Sequence, residues 1–251
     1  MNAMETQYVF EDGLIVGCPV MPLQQPESHT NECEQGSLGW HRSRLGNFTG
    51  SCIGKLMKPN RQGGFSDTAM SYIYQVAATR YMNDKIVSND ELFTEYLEIT
   101  NIETRAMRWG TEQEASARRL YAKKTGLTVT ERGSVEHPDI DFFASSPDGW
   151  IADDGQGQSG CLEIKCPNQE TYMRYRNEVH DNASLKKVKP EYYWQCQSHM
   201  MCTGADWCDF IAYCPWQMKP IHIVRILPCK EDMELVKCKI KEAEMIIEKL
   251  K

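Results

Sequence analysis

Three side chains in residues 145–167 (SSPDGWIADDGQGQSGCLEIKCP) have the types and spacing for metal-dependent chemistry: Asp148, Glu163 and Lys165. Glu163 and Lys165 are separated by one residue. Side chains alternate along a strand, so both project to the same face. Asp148 closes the strand before, at a Pro-Asp-Gly turn. The loop between, rich in Gly, Asp and Gln, can fold the two strands into a hairpin that sets Asp148 beside Glu163. Two converging carboxylates form a hard oxygen site suited to Mg²⁺ or Mn²⁺. A lysine on that face can orient or deprotonate a water, or offset charge on a phosphate, which suits phosphodiester hydrolysis by metal-activated water.

The plain alternative is an Asp-Gly turn and a surface Glu–Lys ion pair, both common and worth little energetically. Two features weigh against it. Leu162 and Ile164 flank Glu163, implying a buried strand where an idle charge is costly. A further carboxylate, Glu114, sits on the strongest helix of the chain.

The elements that position these residues follow from periodicity. Residues 1–36 are polar, carry Pro19, Pro22, Pro26 and Gly36, and read as an extended or partly disordered lead-in. Residues 37–251 read as a single domain. A helix is expected over 48–57, with Thr49 or Ser51 as cap, then a loop at 58–67 and a helix over 68–82. The clearest helix spans about 100–125, where Ile102, Ala106, Trp109, Ala117, Leu120 and Tyr121 recur at helical spacing before Gly126. Short strands follow at 127–132, 140–146, 149–152 and 160–166. A helix at 168–180 precedes another from Pro190 to Gly204, then strands at 207–214 and 221–227 and an amphipathic helix at 231–250. This is an α/β chain with a central mixed sheet flanked by helices.

Composition narrows the class. Hydrophobic content of 41% and charged content of 25% are ordinary for a globular protein. No apolar run reaches the roughly 18–20 residues that cross a bilayer, and no secretory signal is evident. A cytoplasmic protein, with no membrane association, is the expectation, and the eleven cysteines are then reduced thiols. Cys196, Cys202, Cys208 and Cys214 recur every six residues. That fits small buried residues better than the ligand pairs of a metal site or the iron–sulfur cluster of some related nucleases. The net charge, 28 − 35 = −7, does not exclude nucleic acid, because binding depends on local basic patches. His41, Arg42 and Arg44 form one patch, Arg118, Arg119, Lys123 and Lys124 another, and Lys186, Lys187 and Lys189 a third.

The segments WHRSRLGNFTGS (40–51), RWGTEQEASARRLYAKKTG (108–126), SSPDGW (145–150), LEIKCP (162–167) and YYWQCQ (192–197) resemble, in order, the five motif regions of the viral recombinase exonucleases typified by phage lambda exonuclease. The resemblance implies a restriction-endonuclease-like core that cuts DNA with two Mg²⁺ ions, Mn²⁺ being able to substitute. It implies Asp148 and Glu163 as shared metal ligands with the backbone carbonyl of Ile164, Glu114 supporting the second metal, and Lys165 positioning the attacking water. Gln195 would contact the site from the side, while Tyr192 reads as a packing residue. Arg44, Thr49 and Ser51 match the family's pocket for a 5′-terminal phosphate, with Trp40 beneath the loop and His41 and Arg42 near backbone phosphates. A further acidic residue of the family corresponds to Asp139 or Asp141. Residues 58–100 match weakly.

The resemblance further implies a Mg²⁺-dependent 5′→3′ exonuclease acting on double-stranded DNA ends in the cytoplasm of a bacterial host. It would leave 3′ single-stranded tails for phage-type recombination, as a homotrimer working with a single-strand annealing protein. The rivals are a nuclease of the same core with another end preference (a 3′→5′ exonuclease or an endonuclease) and a non-catalytic DNA-end-binding protein.

Overall fold

The computed structural model describes residues 10–11, 14–15, 33–60, 63–101 and 104–251. Of the lead-in at 1–36 the described residues are 33–36 and an antiparallel pair of two-residue strands, Phe10–Glu11 (β1) and Leu14–Ile15 (β2). Ile102 lies outside them as well.

Ser37 caps the first helix, Leu38–Ser43 (α1), by accepting the Trp40 N–H. Where a helix was expected over 48–57, a two-residue strand, Phe48–Thr49 (β3), runs into a single turn, Gly50–Ile53 (α2). Space explains how closely this turn packs. A Cβ on Gly50 would lie 2.1 Å from the Ser145 hydroxyl oxygen and 3.2 Å from the Ser198 Cβ. The helix Asp67–Arg80 (α3) follows as read, capped by Ser66. Two helices not read from the sequence come next, Asp84–Ser88 (α4) and Asp90–Thr100 (α5), capped by Asn83 and Asn89. They bury only Phe93, so they leave little periodic trace. The long helix Arg105–Thr125 (α6) starts at a Thr104 cap and stops at Gly126, whose φ of 76° is the left-handed conformation that glycine adopts freely.

The strands are Val135–Glu136 (β4), Phe143–Ser145 (β5), Gly149–Ile151 (β6) and Gly160–Lys165 (β7). The strand expected at 127–132 reduces to one bridge, Thr130 with Trp150. Gln169–Glu178 (α7) and Asn182–Val188 (α8) precede Pro190–Thr203 (α9), which ends at Gly204. Trp207–Tyr213 (β8), Ile221–Ile226 (β9) and Lys230–Glu248 (α10) complete the chain.

The main sheet has the order β6-β7-β8-β9, mixed because β7 and β8 are parallel and the outer pairings antiparallel. The strand expected over 140–146 does not join it. As β5 it pairs with β3 and β4 in a second, three-stranded sheet. Alternation along β7 divides the core. Leu162 and Ile164 pack with Ile211 of β8 against Ala117 and Tyr121 of α6. Cys161 and its register partner Cys208 join, with Phe210 of β8, the core that includes Cys196 and Met200 of α9. Each buried aliphatic there contributes about 1.5–3 kcal/mol. The Tyr121 hydroxyl donates to buried Asp209 of β8 (2.7 Å), which also holds Arg225, and this fixes α6 on the sheet. Cys196, Cys202, Cys208 and Cys214 are all buried, on α9, in β8 and just past it.

Candidate active site

β6 ends at Gly149, opposite Leu162, so the last three residues of β7 have β8 on one side and an open edge on the other. Asp148 occupies that edge. Its N–H donates to the Leu162 carbonyl (2.9 Å), and its Oδ2 accepts the Ile164 N–H (2.6 Å), the donor left over where β6 stops. Glu163 and Lys165 stand on the same face, as alternation requires, with the Lys165 ammonium in ion-pair contact with Glu163 Oε1. Glu163 is fully buried, and Asp148 nearly so. From α6, Arg118 donates to the Asp148 carbonyl (2.9 Å) and pairs with Glu131, while Glu114, one turn earlier, lies in the field of Asp148, Lys165 and Glu163. Asp148, Glu163 and Lys165 therefore adjoin one another where the β7 edge is left open, with Glu114 within electrostatic reach.

The charges are tightly coupled. Burial, and then the neighbouring Asp148, push the Glu114 carboxyl up to about 7. Burial and the Glu163 charge raise Asp148 to about 6. Burial pushes Glu163 up too, but the Lys165 ammonium and the hydrogen bond from His199 outweigh it and hold the group below the usual carboxylate range. Burial would lower Lys165, yet Glu163 and Asp148 outweigh it and raise the ammonium, so Lys165 is charged in this state.

His199 was not singled out from the sequence. Its Nε2 donates to Glu163 Oε2 (2.6 Å), since a carboxylate only accepts, and its Nδ1 pairs with the Ser145 hydroxyl (2.7 Å). All three residues are buried. The available signal was spacing: His199 lies four residues after Gln195, on the same face of α9. Gln195 is buried as well and forms no side-chain hydrogen bond among the described residues. Tyr192 packs on Phe210 and also presents its ring to the Lys165 ammonium, 5.1 Å from the centroid.

The donor set fits a hard divalent cation. Glu163 Oε1 is a buried oxygen whose contact among the described residues is the Lys165 ammonium. Among the described residues, no three His, Cys, Asp or Glu side chains gather into a full ligand set. A cation here would therefore rely on two carboxylates, with backbone, water or substrate oxygens completing the shell, the usual arrangement for Mg²⁺. Asp139 and Asp141 stand exposed on the turn before β5 and join no cluster of ligands.

A second cluster adjoins the first. The Arg44 guanidinium donates to the Ser51 hydroxyl (3.3 Å) and to the Ser146 hydroxyl (3.4 Å), and lies 4.2 Å over the Trp40 ring. Trp40 Nε1 donates to Ser146 (3.1 Å), and Thr49 lies 3.5 Å from both Ser51 and the Tyr72 hydroxyl. Among the described residues Arg44 has no carboxylate partner, and burial lowers its pKa from the ordinary value. A half-buried guanidinium with no carboxylate partner, ringed by hydroxyls, has the donors to hold an anion. Arg42, by contrast, is taken by Asp90 (2.5 Å) and the Val87 carbonyl (2.7 Å), so it holds α1 against α5 rather than facing a ligand. One segment joins the clusters: Ser145 reaches His199, Ser146 reaches Arg44, and Asp148 lies at the β7 edge.

The raised carboxyls set a pH dependence. Between about pH 4 and pH 7 the folded chain keeps protons on Glu114 and Asp148 that the unfolded chain has already released, so metal-free stability falls as pH rises through that window. A divalent cation prefers the deprotonated carboxylates, so its stabilisation grows over the same range. The upward shift in melting temperature from EDTA to Mg²⁺ is expected to be larger at about pH 8 than at about pH 5.5. Equal shifts by scanning calorimetry would detach these carboxylates from the metal.

Comparisons with known proteins identify the family and the fold. The profile of the YqaJ-like viral recombinase domain matches residues 39–206. An alkaline exonuclease (LHK-Exo) from Laribacter hongkongensis is 30% identical, with a TM-score of 0.65 over 85% of this chain and 96% of that one. The same exonuclease in complex with dAMP gives a TM-score of 0.66. A phage related exonuclease from Haemophilus somnus 129PT, 15% identical, shares the fold, with a TM-score of 0.60 over 81% and 94% of the two chains. Comparison with curated proteins returned no match.

Proposed function

This chain belongs to the YqaJ-like viral recombinase domain family, and from that premise we propose that it is a Mg²⁺-dependent nuclease that digests double-stranded DNA from 5′ ends, releasing mononucleotides. The observation that carries the reading is the joining of the two clusters by one short segment. Ser146, on Arg44, and Asp148, at the β7 edge, are two residues apart, no more than about 7 Å between Cα atoms. A terminal phosphate at Arg44, Thr49 and Ser51 thus places the next phosphodiester near Asp148 and Glu163. That spacing supports removal of one nucleotide at a time, and the dAMP-bound relative is in keeping with it.

In this reading Asp148, Glu163 and the Ile164 carbonyl hold the cation, and Glu114 supports a second. Mg²⁺ there would supply Lewis acidity toward phosphate oxygens and make a bound water more acidic. The Lys165 ammonium orients the attacking water and offsets charge building on the phosphate. Gln195, with its free amide, contacts the site from α9. Without a cation Glu114 is raised to about 7 and Asp148 to about 6, so a cation must compete with protons for them in acid, and activity is expected to rise from acid toward neutral and alkaline solution. The retained 3′ tail is a substrate for recombination with a single-strand annealing protein, and a ring of three copies is the assembly in which the enzyme would stay on its duplex. Among the described residues no helix is long and apolar enough to cross a membrane.

The test follows a linear duplex labelled at either end, bearing 5′-phosphate or 5′-hydroxyl, in Mg²⁺ or EDTA. Loss of 5′ label in Mg²⁺ is expected, faster from phosphorylated ends. Arg44→Ala should remove most of that preference, worth roughly 1.5–3 kcal/mol or about 10–150-fold, while leaving slow digestion of 5′-hydroxyl ends. Digestion from 3′ ends, or indifference to the phosphate, would overturn the polarity. Binding without cleavage would make the chain an end-binding protein.

A further inference from the structure

The loop at 214–220, between β8 and β9, carries a feature that the hydrolytic site does not use. Trp216 stacks on Trp109 of α6, ring centroids 4.6 Å apart and planes 10° from parallel, and Trp216 remains 61% exposed. The same loop and the far end of α6 border a cavity of about 580 Å³, with Leu120 and Ile221 in its wall and Lys123, Lys124, Arg176 and Lys219 around it. Among the described residues none of these four cations is paired with a carboxylate, whereas Arg42, Arg80, Arg118, Lys186 and Arg225 all are. The positive field is felt locally. His222, in the same wall, is lowered first by burial and then by His180, Arg176 and Lys124, against the hydrogen bond to Val179 that raises it. Trp109 and Leu120 are eleven residues apart, three helical turns, so the indole pair and the basic cavity follow one flank of α6 about 16 Å apart.

We propose that this flank is a track for single-stranded DNA, with bases stacking on the Trp216–Trp109 pair and the backbone running past Lys219, Lys123, Lys124 and Arg176. An exposed flat aromatic recognises an unstacked base, which a duplex does not offer, and unpaired cations recognise a phosphate chain; the combination is the physical signature of single-strand binding. The occupant is the strand whose complement has been digested. This rests on the exonuclease reading, since only strand removal generates such a strand here.

The test uses the full chain in EDTA, where no cleavage occurs, and measures anisotropy of a labelled oligothymidylate and of an abasic chain of equal length. Trp216→Ala should weaken oligothymidylate binding about tenfold, the worth of one stacked base, leave abasic binding unchanged, and abolish quenching of tryptophan fluorescence by the oligonucleotide. Lys123→Ala/Lys124→Ala should weaken both ligands and reduce the salt slope by about 1.4. Unchanged affinities in both variants overturn the track, as does equal loss of both ligands in Trp216→Ala. A change in sedimenting mass with no change in DNA affinity also overturns it and assigns the face to a second copy of the chain. Oligothymidylate binding through Trp216 without duplex digestion in Mg²⁺ would keep the track and reject the exonuclease; digestion without such binding would do the reverse.

Discussion

Replacing Lys165 by alanine is expected to lower Mg²⁺-dependent digestion of a 5′-phosphorylated duplex by about 10²–10⁴-fold while the protein still binds the duplex end. The charged ammonium sits against Glu163 Oε1, under the Tyr192 ring, at the edge where the phosphate would lie. Because Lys165 is raised rather than lowered, it is an ammonium at working pH and acts through its charge and its three donors. A second consequence differs between apo and metal-loaded protein. Glu163 is fully buried, so losing its countercharge costs the metal-free protein about 3–5 kcal/mol, less whatever proton uptake recovers. A bound cation replaces that countercharge, so Mg²⁺ should stabilise the variant more than the parent. Single-turnover hydrolysis and melting with and without Mg²⁺ separate the two effects. Hydrolysis within threefold of the parent would reduce Lys165 to a structural partner of Glu163.

Local patterns made much of this legible. The Glu163–Lys165 face, the Asp148 turn and the helix of Glu114 each follow from strand alternation, a Pro-Asp-Gly turn or helical periodicity, and the fold brings them together. What escaped the sequence reading depends on contacts between distant segments. β5 repeats the strand pattern but pairs with nearby β4 and with β3, a partner nearly a hundred residues away. α4 and α5 bury only Phe93, so no apolar stripe marked them. Arg42 and Arg44 are equivalent in a basic patch; only the placement of Asp90 beside one and Ser146 beside the other separates a structural cation from a free one. His199 was hidden for the same reason, as a histidine on a buried helix gains meaning only once Ser145 and Glu163 stand on either side.

That pairing supports the other large effect. His199 fixes Glu163 Oε2 and is itself held by Ser145, which leaves Oε1 to the Lys165 ammonium among the described residues. His199→Ala is expected to lower Mn²⁺ affinity and turnover by about 10–100-fold, the usual loss when a residue behind a metal ligand is removed. KM for the duplex should hardly change, because the Arg44 cluster binds the end independently. His199→Gln keeps a donor near the same height and should recover much of the affinity, which a simple cavity effect would not allow. Gly50 shows how little room there is, since a Cβ there would meet Ser145. Gly50→Ala should therefore disturb His199 through Ser145 and reproduce part of the Mn²⁺ defect without touching a ligand. Mn²⁺ titration by electron paramagnetic resonance reads the affinity directly. An unaltered Mn²⁺ affinity in folded His199→Ala would mean that Lys165 and the β7 backbone suffice to orient Glu163.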